Sequence, residues 1–178
     1  EREIQRRVEA KINPNGVVFT PSAQVDVSSL VASTLNISAD DFMAGQFLLE
    51  GDSMASVENH GRITAATGGT VALIAANIVN RGDINVPQGS MFMAAGRKVL
   101  LDLGGPAAIE VQEGVMDALI EQGGAIRVAG GQVFFTARAA RDLVSSVINH
   151  SGLTDVSSID ALGGQVVLEA DAIRLNAD

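Results

Sequence analysis

Residues 57–73 read Val-Glu-Asn-His-Gly-Arg-Ile-Thr-Ala-Ala-Thr-Gly-Gly-Thr-Val-Ala-Leu, and the first half of this stretch returns three more times in altered form. The shared pattern is apolar, any, Asn or Gln, any, small, any, apolar. It occurs as Val57-Asn59-Gly61-Ile63, Ile78-Asn80-Gly82-Ile84, Ile120-Gln122-Gly124-Ile126 and Val147-Asn149-Ser151-Leu153, with starts 21, 42 and 27 residues apart. A second half follows as Gly68-Gly69-Thr70-Val71, Gly130-Gly131-Gln132-Val133 and Gly163-Gly164-Gln165-Val166, with a looser Gly89-Ser90-Met91-Phe92. Self-similarity at a fixed short period is the signature of a solenoid.

The spacing of apolar residues selects the type. Val71 with Leu73, Val133 with Phe135 and Val166 with Leu168 stand two apart, the period of a short strand with one buried face. Strands closed by Gly or Asn, where the backbone turns sharply, describe the coil of a parallel β-helix. One coil buries too little apolar surface to offset its ordering entropy, so stacking on neighbours must supply the rest. Asn59, Asn80, Gln122 and Asn149 are expected to lie above one another, either as an amide ladder or as turn residues chosen for their backbone preference.

Three excursions interrupt the period, at about 34–55, 97–116 and 137–146. Ser38 ahead of Ala39-Asp40-Asp41-Phe42-Met43 predicts an N-capped helical turn, followed by a protruding strand from Gln46 to Glu50. Runs 99–103 and 108–111 flank Gly104-Gly105-Pro106 and predict a hairpin laid against the solenoid. The third excursion reads as a short helix. Asn15-Gly16 is the strongest turn signal in the chain, and Pro14 holds Asn13 extended. The slots of the repeat fall on Ile12, Pro14, Gly16 and Val18, which puts proline in the amide position. Residues 1–11 fit a helical turn or a strand, and Ile173 with Leu175 starts a further coil. The whole chain, 1–178, is expected to be a single β-helix domain and a piece of a longer protein.

Composition narrows function. The chain has 178 residues, 47% of them hydrophobic and 3% aromatic, with 19 Gly, no Tyr and no Trp. A net charge of −9 argues against nucleic acid and anionic lipid partners. Without Cys there are no disulfides, thiolate metal sites or thiol catalysis. No stretch is apolar enough for membrane insertion.

Candidate chemistry is thin. His60 and His150 share a repeat slot about four coils, roughly 19 Å, apart, which favours solvated turn residues over metal ligands; no metal or cofactor is expected. Asp40 with Asp41, and Glu110 with Glu113, permit a glycosidase reading. They lie in excursions, however, with no Tyr or Trp to stack a sugar, so a non-enzyme is expected. Arg81-Gly82-Asp83 spells the integrin tripeptide, but its glycine is already required by the repeat. Asn36 and Asn149 begin sequons. Gly68-Gly69 precedes no helix and makes no phosphate loop.

Four features together resemble one family: the Asn13-Pro14-Asn15-Gly16 corner, the run Leu30-Val31-Ala32-Ser33-Thr34, the excursion Ile37 to Gly45, and Thr136-Ala137-Arg138-Ala139-Ala140. This is the secretion, or haemagglutination activity, domain of two-partner-secretion, filamentous-haemagglutinin-like exoproteins, and the likeness runs from residue 12 to about 155. The resemblance implies a right-handed parallel β-helix with extra-helical hairpins, from a Gram-negative bacterial adhesin-like protein destined for the cell surface or secretion. It implies an outer-membrane transporter as partner, whose periplasmic domains bind the domain before it folds outside and templates the rest of the fibre. Asn13, Pro14, Asn15 and Gly16 match the family's second Asn-Pro corner; its earlier Asn-Pro-Asn-Leu-type corner, N-terminal cap and Gly-led strand before the corner have no counterpart here. Host glycans or receptors are further expected partners, through Arg81, Gly82 and Asp83 in the receptor case. The alternative is a carbohydrate-binding or polysaccharide-cleaving parallel β-helix.

Overall fold

The computed structural model describes residues 8–37, 46–103, 107–115, 117–138, 146–156, 165–170 and 172–175. They form six stacked coils that contribute strands in turn to three parallel sheets. The first coil is β1 (Val8–Ile12), β2 (Val17–Phe19) and β3 (Gln24–Val27). The second begins with β4 (Ser29–Ser33), leaves the stack as β5 (Asn36–Ile37) and β6 (Gln46–Glu50), and resumes as β7 (Ser56–Asn59) and β8 (Arg62–Ala65). The third is β9 (Thr70–Ala75), β10 (Asn77–Asn80) and β11 (Asp83–Asn85). In the fourth, β12 (Ser90–Ala95) leads to the hairpin β13 (Lys98–Asp102) and β14 (Ala108–Glu113), then to β15 (Ala118–Gln122) and β16 (Ala125–Arg127). The fifth is β17 (Gln132–Ala137), β18 (Ser146–His150) and β19 (Leu153–Asp155), and the sixth supplies β20 (Gln165–Glu169) and β21 (Ala172–Leu175).

Sheet A stacks β1-β4-β9-β12-β17-β20, sheet B stacks β2-β7-β10-β15-β18-β21, and sheet C runs β3-β8-β11-β16-β19. This is the parallel β-helix expected from the period. Strand pairing aligns Leu30, Val71, Met91 and Val133 in one inward column, and Ala32, Leu73, Met93 and Phe135 in another. Their interior is dry: each of these eight side chains is fully buried.

Sheet A departs from the one-buried-face expectation. Its outward column Val31, Ala72 and Phe92 is buried as well, because a fourth, antiparallel sheet, β14-β13-β6-β5, covers it. Phe47, Leu49, Val99, Leu101, Ile109 and Val111 form a second apolar core against that outer face. Double burial explains the unbroken apolar runs in β9 and β12, as in parallel sheets covered on both sides. The strand from Gln46 to Glu50 therefore does not protrude; two of its side chains seal the flank. The hairpin is present as read, with its Gly-Gly-Pro turn outside the described residues, as are the helical turn expected after Ser38 and Gly163-Gly164; of the short helix expected over 137–146, Ala137 and Ser146 are strand residues and 139–145 lie outside the described residues. Among the described residues of the N-terminal segment, Val8–Ile12 is strand.

Register corrects two assignments. Pro14 is not in the amide slot; Phe19 is, paired with Asn59, so the Asn13–Gly16 turn lies at the corner between sheets A and B. In the fifth coil Gln122 pairs with His150, not Asn149, which pairs with Glu121. The fourth copy is thus Ile148-His150-Gly152-Thr154, one residue later than the sequence pattern placed it.

Candidate functional site

The corner between sheets B and C is built from amides. Asn59 Nδ2 donates to Asn80 Oδ1 at 2.9 Å, and Asn80 Nδ2 donates to Gln122 Oε1 at 2.7 Å. Gln122 closes the ladder by donating to the carbonyls of Gly124 and Leu153 at 3.1 and 3.0 Å. All three residues are fully buried. Of the two readings open at the sequence level, the ladder is the one observed for these three, and Asn149 has no part in it. His150, in the next rung, instead meets Thr154 Oγ1 at 2.8 Å, and Thr154 occupies the inward column otherwise filled by Val25, Ile63, Ile84 and Ile126.

Arg81-Gly82-Asp83 turns this same corner. The Arg81 and Gly82 amides both donate to the Asn59 carbonyl, at 2.8 and 3.0 Å, so the tripeptide is tied to the coil beneath it. Arg81 Nη2 lies 3.5 Å from Glu121 Oε2 and Asp83 Oδ2 lies 4.0 Å from Arg62 Nη2, each pair bridging adjacent coils on the surface. His60 does not share a slot with His150; its Nε2 sits 3.1 Å from Glu58 Oε1. That hydrogen bond, with a second from Ser56, holds the Glu58 carboxyl below its ordinary range. Glu113 is engaged by Arg97 at 3.4 Å, while Glu110 stands exposed on the outer face of β14. Among the described residues no His, Asp or Glu cluster is arranged to hold a metal; Asp40 and Asp41 lie outside them.

The Asn13-Pro14-Asn15-Gly16 corner has a different character. Asn13, Pro14 and Asn15 are all exposed. The Asn15 amide donates to Asn13 Oδ1 at 3.0 Å, the Gly16 amide to the Asn13 carbonyl at 3.0 Å, and the Asn13 amide to the Ser33 carbonyl at 3.0 Å. Gly16 sits at φ 120, a region that side-chain-bearing residues avoid. Gly16→Ala is expected to cost about 1–2 kcal/mol through backbone strain alone, since its added methyl would meet nothing closer than the Ser56 carbonyl at 3.4 Å. Thermal unfolding of the variant measures this, and an unchanged midpoint would contradict the assigned turn.

Sequence reading missed the contacts that hold this corner from outside. The Ser53 hydroxyl donates to the Pro14 carbonyl and accepts from the Ala55 amide. One residue earlier, Asp52 Oδ1 accepts from Arg97 Nε and Nη2 at 3.2 and 2.9 Å. It also missed a second polar column, in which the Thr70 amide donates to Ser29 Oγ and Gln132 Nε2 donates to Ser90 Oγ and to the Ala107 carbonyl, just ahead of β14 at the turn end of the hairpin. The Thr or Gln following each Gly-Gly pair was the available signal for that column.

Comparison with known proteins agrees with this architecture. The TPS secretion domain family matches residues 11–178. Over 179 aligned residues the chain is 24% identical to a heme/hemopexin-binding protein of Haemophilus influenzae, covering 92% of this chain and 19% of that one. It superposes on the crystal structure of the HMW1 secretion domain from Haemophilus influenzae with a TM-score of 0.53 and 27% identity, covering 94% of this chain and 49% of that one. The chain thus spans less than half the length of these relatives. TPS domains belong to exoproteins secreted to the cell surface or beyond, with an outer-membrane transporter as the partner. A family match across nearly the whole chain, on a three-sheeted coil stack with a sealed flank, makes this chain a member of the TPS secretion domain family of two-partner-secretion exoproteins.

Proposed function

We propose that the exposed Asn13-Pro14-Asn15-Gly16 corner is the element that the transporter's periplasmic domains recognise, and that the coil stack then nucleates folding of the exoprotein outside the cell. The observation that carries this is the exposure of Asn13, Pro14 and Asn15 together, where the amide corner of the second to fourth coils is buried and serves the fold. A templating role is supported by Val166, Ile173 and Leu175 in the sixth coil, which occupy inward registers yet remain exposed, apolar surface suited to a further coil. Catalysis is not assigned to this chain, because Glu113 is paired with Arg97 and Glu110 is an exposed group on the outer face of β14. Nor is receptor binding assigned to Arg81-Gly82-Asp83, whose glycine serves coil stacking and whose charged groups pair across coils.

The test mixes the purified domain, freshly diluted from urea before it folds, with the transporter's periplasmic domains. Binding by the wild type and about tenfold or greater weakening in Asn15→Ala is expected. That variant removes an exposed side chain and leaves the backbone bonds of the turn in place. No binding by the wild type, or full binding by the variant, overturns the proposal. Polysaccharide cleavage lost in Glu110→Gln, or cell attachment lost in Asp83→Glu, would replace it.

A further inference from the structure

Ser53 and Arg97 stand outside the corner and yet are joined to it by a chain of hydrogen bonds and ion pairs. Within the turn, the Asn13 carbonyl and Oδ1 are bonded by the turn's own amides. The Pro14 carbonyl, at its exposed apex, is bonded by Ser53, 39 residues downstream. The segment bearing Ser53 is itself placed by residues further on. The Gly51 amide donates to the Arg97 carbonyl at 3.0 Å and the Arg97 amide to the Glu113 carbonyl at 2.9 Å. The Arg97 guanidinium bridges Asp52 and Glu113, at 2.9 and 3.4 Å. The path from Glu113 through Arg97 and Asp52-Ser53 to Pro14 thus joins the hairpin of the fourth coil to the turn of the first.

Resting on the reading that the corner is what the transporter binds, we infer that Ser53 and Arg97 are positioning residues that withdraw the corner from the transporter once the hairpin has docked. Before the fourth coil is in place, the Pro14 carbonyl is open to a donor from the partner, and the turn is free to adopt whatever extended shape the partner's groove requires. When β13 and β14 pair with β6, Arg97 draws Asp52 in, Ser53 takes the Pro14 carbonyl, and the partner's donor is displaced. Release is thereby coupled to a fold that has advanced through Glu113, and premature loss of the chain from the transporter is avoided. Neither group needs to touch the transporter to act.

The experiment compares affinities of urea-unfolded, freshly diluted domain and fully folded domain for the transporter's periplasmic domains, in wild type, Ser53→Ala, Ser53→Thr, Arg97→Gln and Asn15→Ala. The wild type is expected to bind far more tightly unfolded than folded. Ser53→Ala and Arg97→Gln should bind unchanged when unfolded but about fivefold more tightly than wild type when folded, the scale set by one hydrogen bond. Ser53→Thr, which keeps the hydroxyl, should restore wild-type release. A role confined to stability would lower the unfolding midpoint and leave the affinity of the folded fraction unchanged, and that result overturns the inference. Arg97→Gln keeps the test decisive if Ser53→Ala folds poorly, because exposed ion pairs such as those to Asp52 and Glu113 contribute little to stability. Undiminished binding of unfolded Asn15→Ala would instead reject the corner as the bound element, a failure of the underlying reading and distinct from this one.

Discussion

Gly82→Ala is expected to destabilise the domain by on the order of 4 kcal/mol, enough to lower its unfolding midpoint by about 10 °C. A methyl group at Gly82 would lie 2.1 Å from the Gly61 carbonyl oxygen, 2.8 Å from the His60 carbonyl carbon and 2.9 Å from the Gly61 nitrogen. Every one of these atoms is backbone, so no side chain can swing away, and relief requires the second and third coils to part by about an ångström along their hydrogen bonds. Gly124 and Gly152 repeat the arrangement, each facing the glycine carbonyl of the coil before it at 2.2 and 2.1 Å. Gly68→Ala is the control. Gly68 has φ 78 and nothing within 4 Å of an added methyl, so its cost is conformational and near 1 kcal/mol. Thermal or urea unfolding of the two variants separates a glycine required by space from one required by backbone angle. Equal effects would contradict the stacking of the coils at this corner.

The same column of glycines shows how far the sequence could be read. Copies at Gly61, Gly82 and Gly124 were legible because the stacking contact tolerates nothing larger, and a residue forced at a fixed period is what a repeat search detects. In the fifth coil Ser151 and Gly152 adjoin, and so do Asn149 and His150; a pattern accepting any small residue fitted Ser151 one place early. The clearance at Gly152 shows which is required. Once the register shifts, the amide slot holds His150 and the inward Ile column holds Thr154, two departures that bond to each other. Each is invisible to a search for like residues because the pair is complementary, not similar.

Contacts that join distant segments were the least legible. The hairpin from Lys98 to Glu113 could be read from Gly-Gly-Pro between two apolar runs, because a hairpin is local. That Gln46 to Glu50 pairs with it, and that both seal the outer face of sheet A, follows from tertiary packing; the clue lay in β9 and β12 being apolar at every position after the first rather than at alternate ones. The Arg97 bridge has no sequence signature, since Asp52 lies 45 residues before it and surface carboxylates are common. The candidate corner was legible as a turn, from Asn15-Gly16, but the strut that closes it was not.

Asn80→Ala is expected to cost about 3–5 kcal/mol, because the middle rung of the ladder has two buried partners and each loses its only strong bond to that side chain. Asn80 accepts from Asn59 and donates to Gln122; with the amide gone, the Asn59 amide proton faces a void and Gln122 Oε1 is left without a donor. Replacement by Leu is expected to be as damaging, since filling the volume restores neither bond. Asn80→Asp is the more informative variant. Its carboxylate still accepts from Asn59 but presents an oxygen to Gln122 Oε1, and a charge enters a slot from which water is excluded. Burial and the opposed oxygen both raise the folded-state pKa of that carboxyl above its unfolded value near 3.9. The folded form then binds a proton that the unfolded form has released, so stability falls as pH rises through that interval and recovers on acidification, when the protonated acid can donate to Gln122 as the amide did. Wild type lacks this group, so unfolding measured from about pH 4 to pH 7 should show Asn80→Asp converging on wild type at the acid end and diverging at the neutral end. A gap independent of pH would mean that the carboxyl reaches solvent and that the ladder does not lie in the dry interior of the stack.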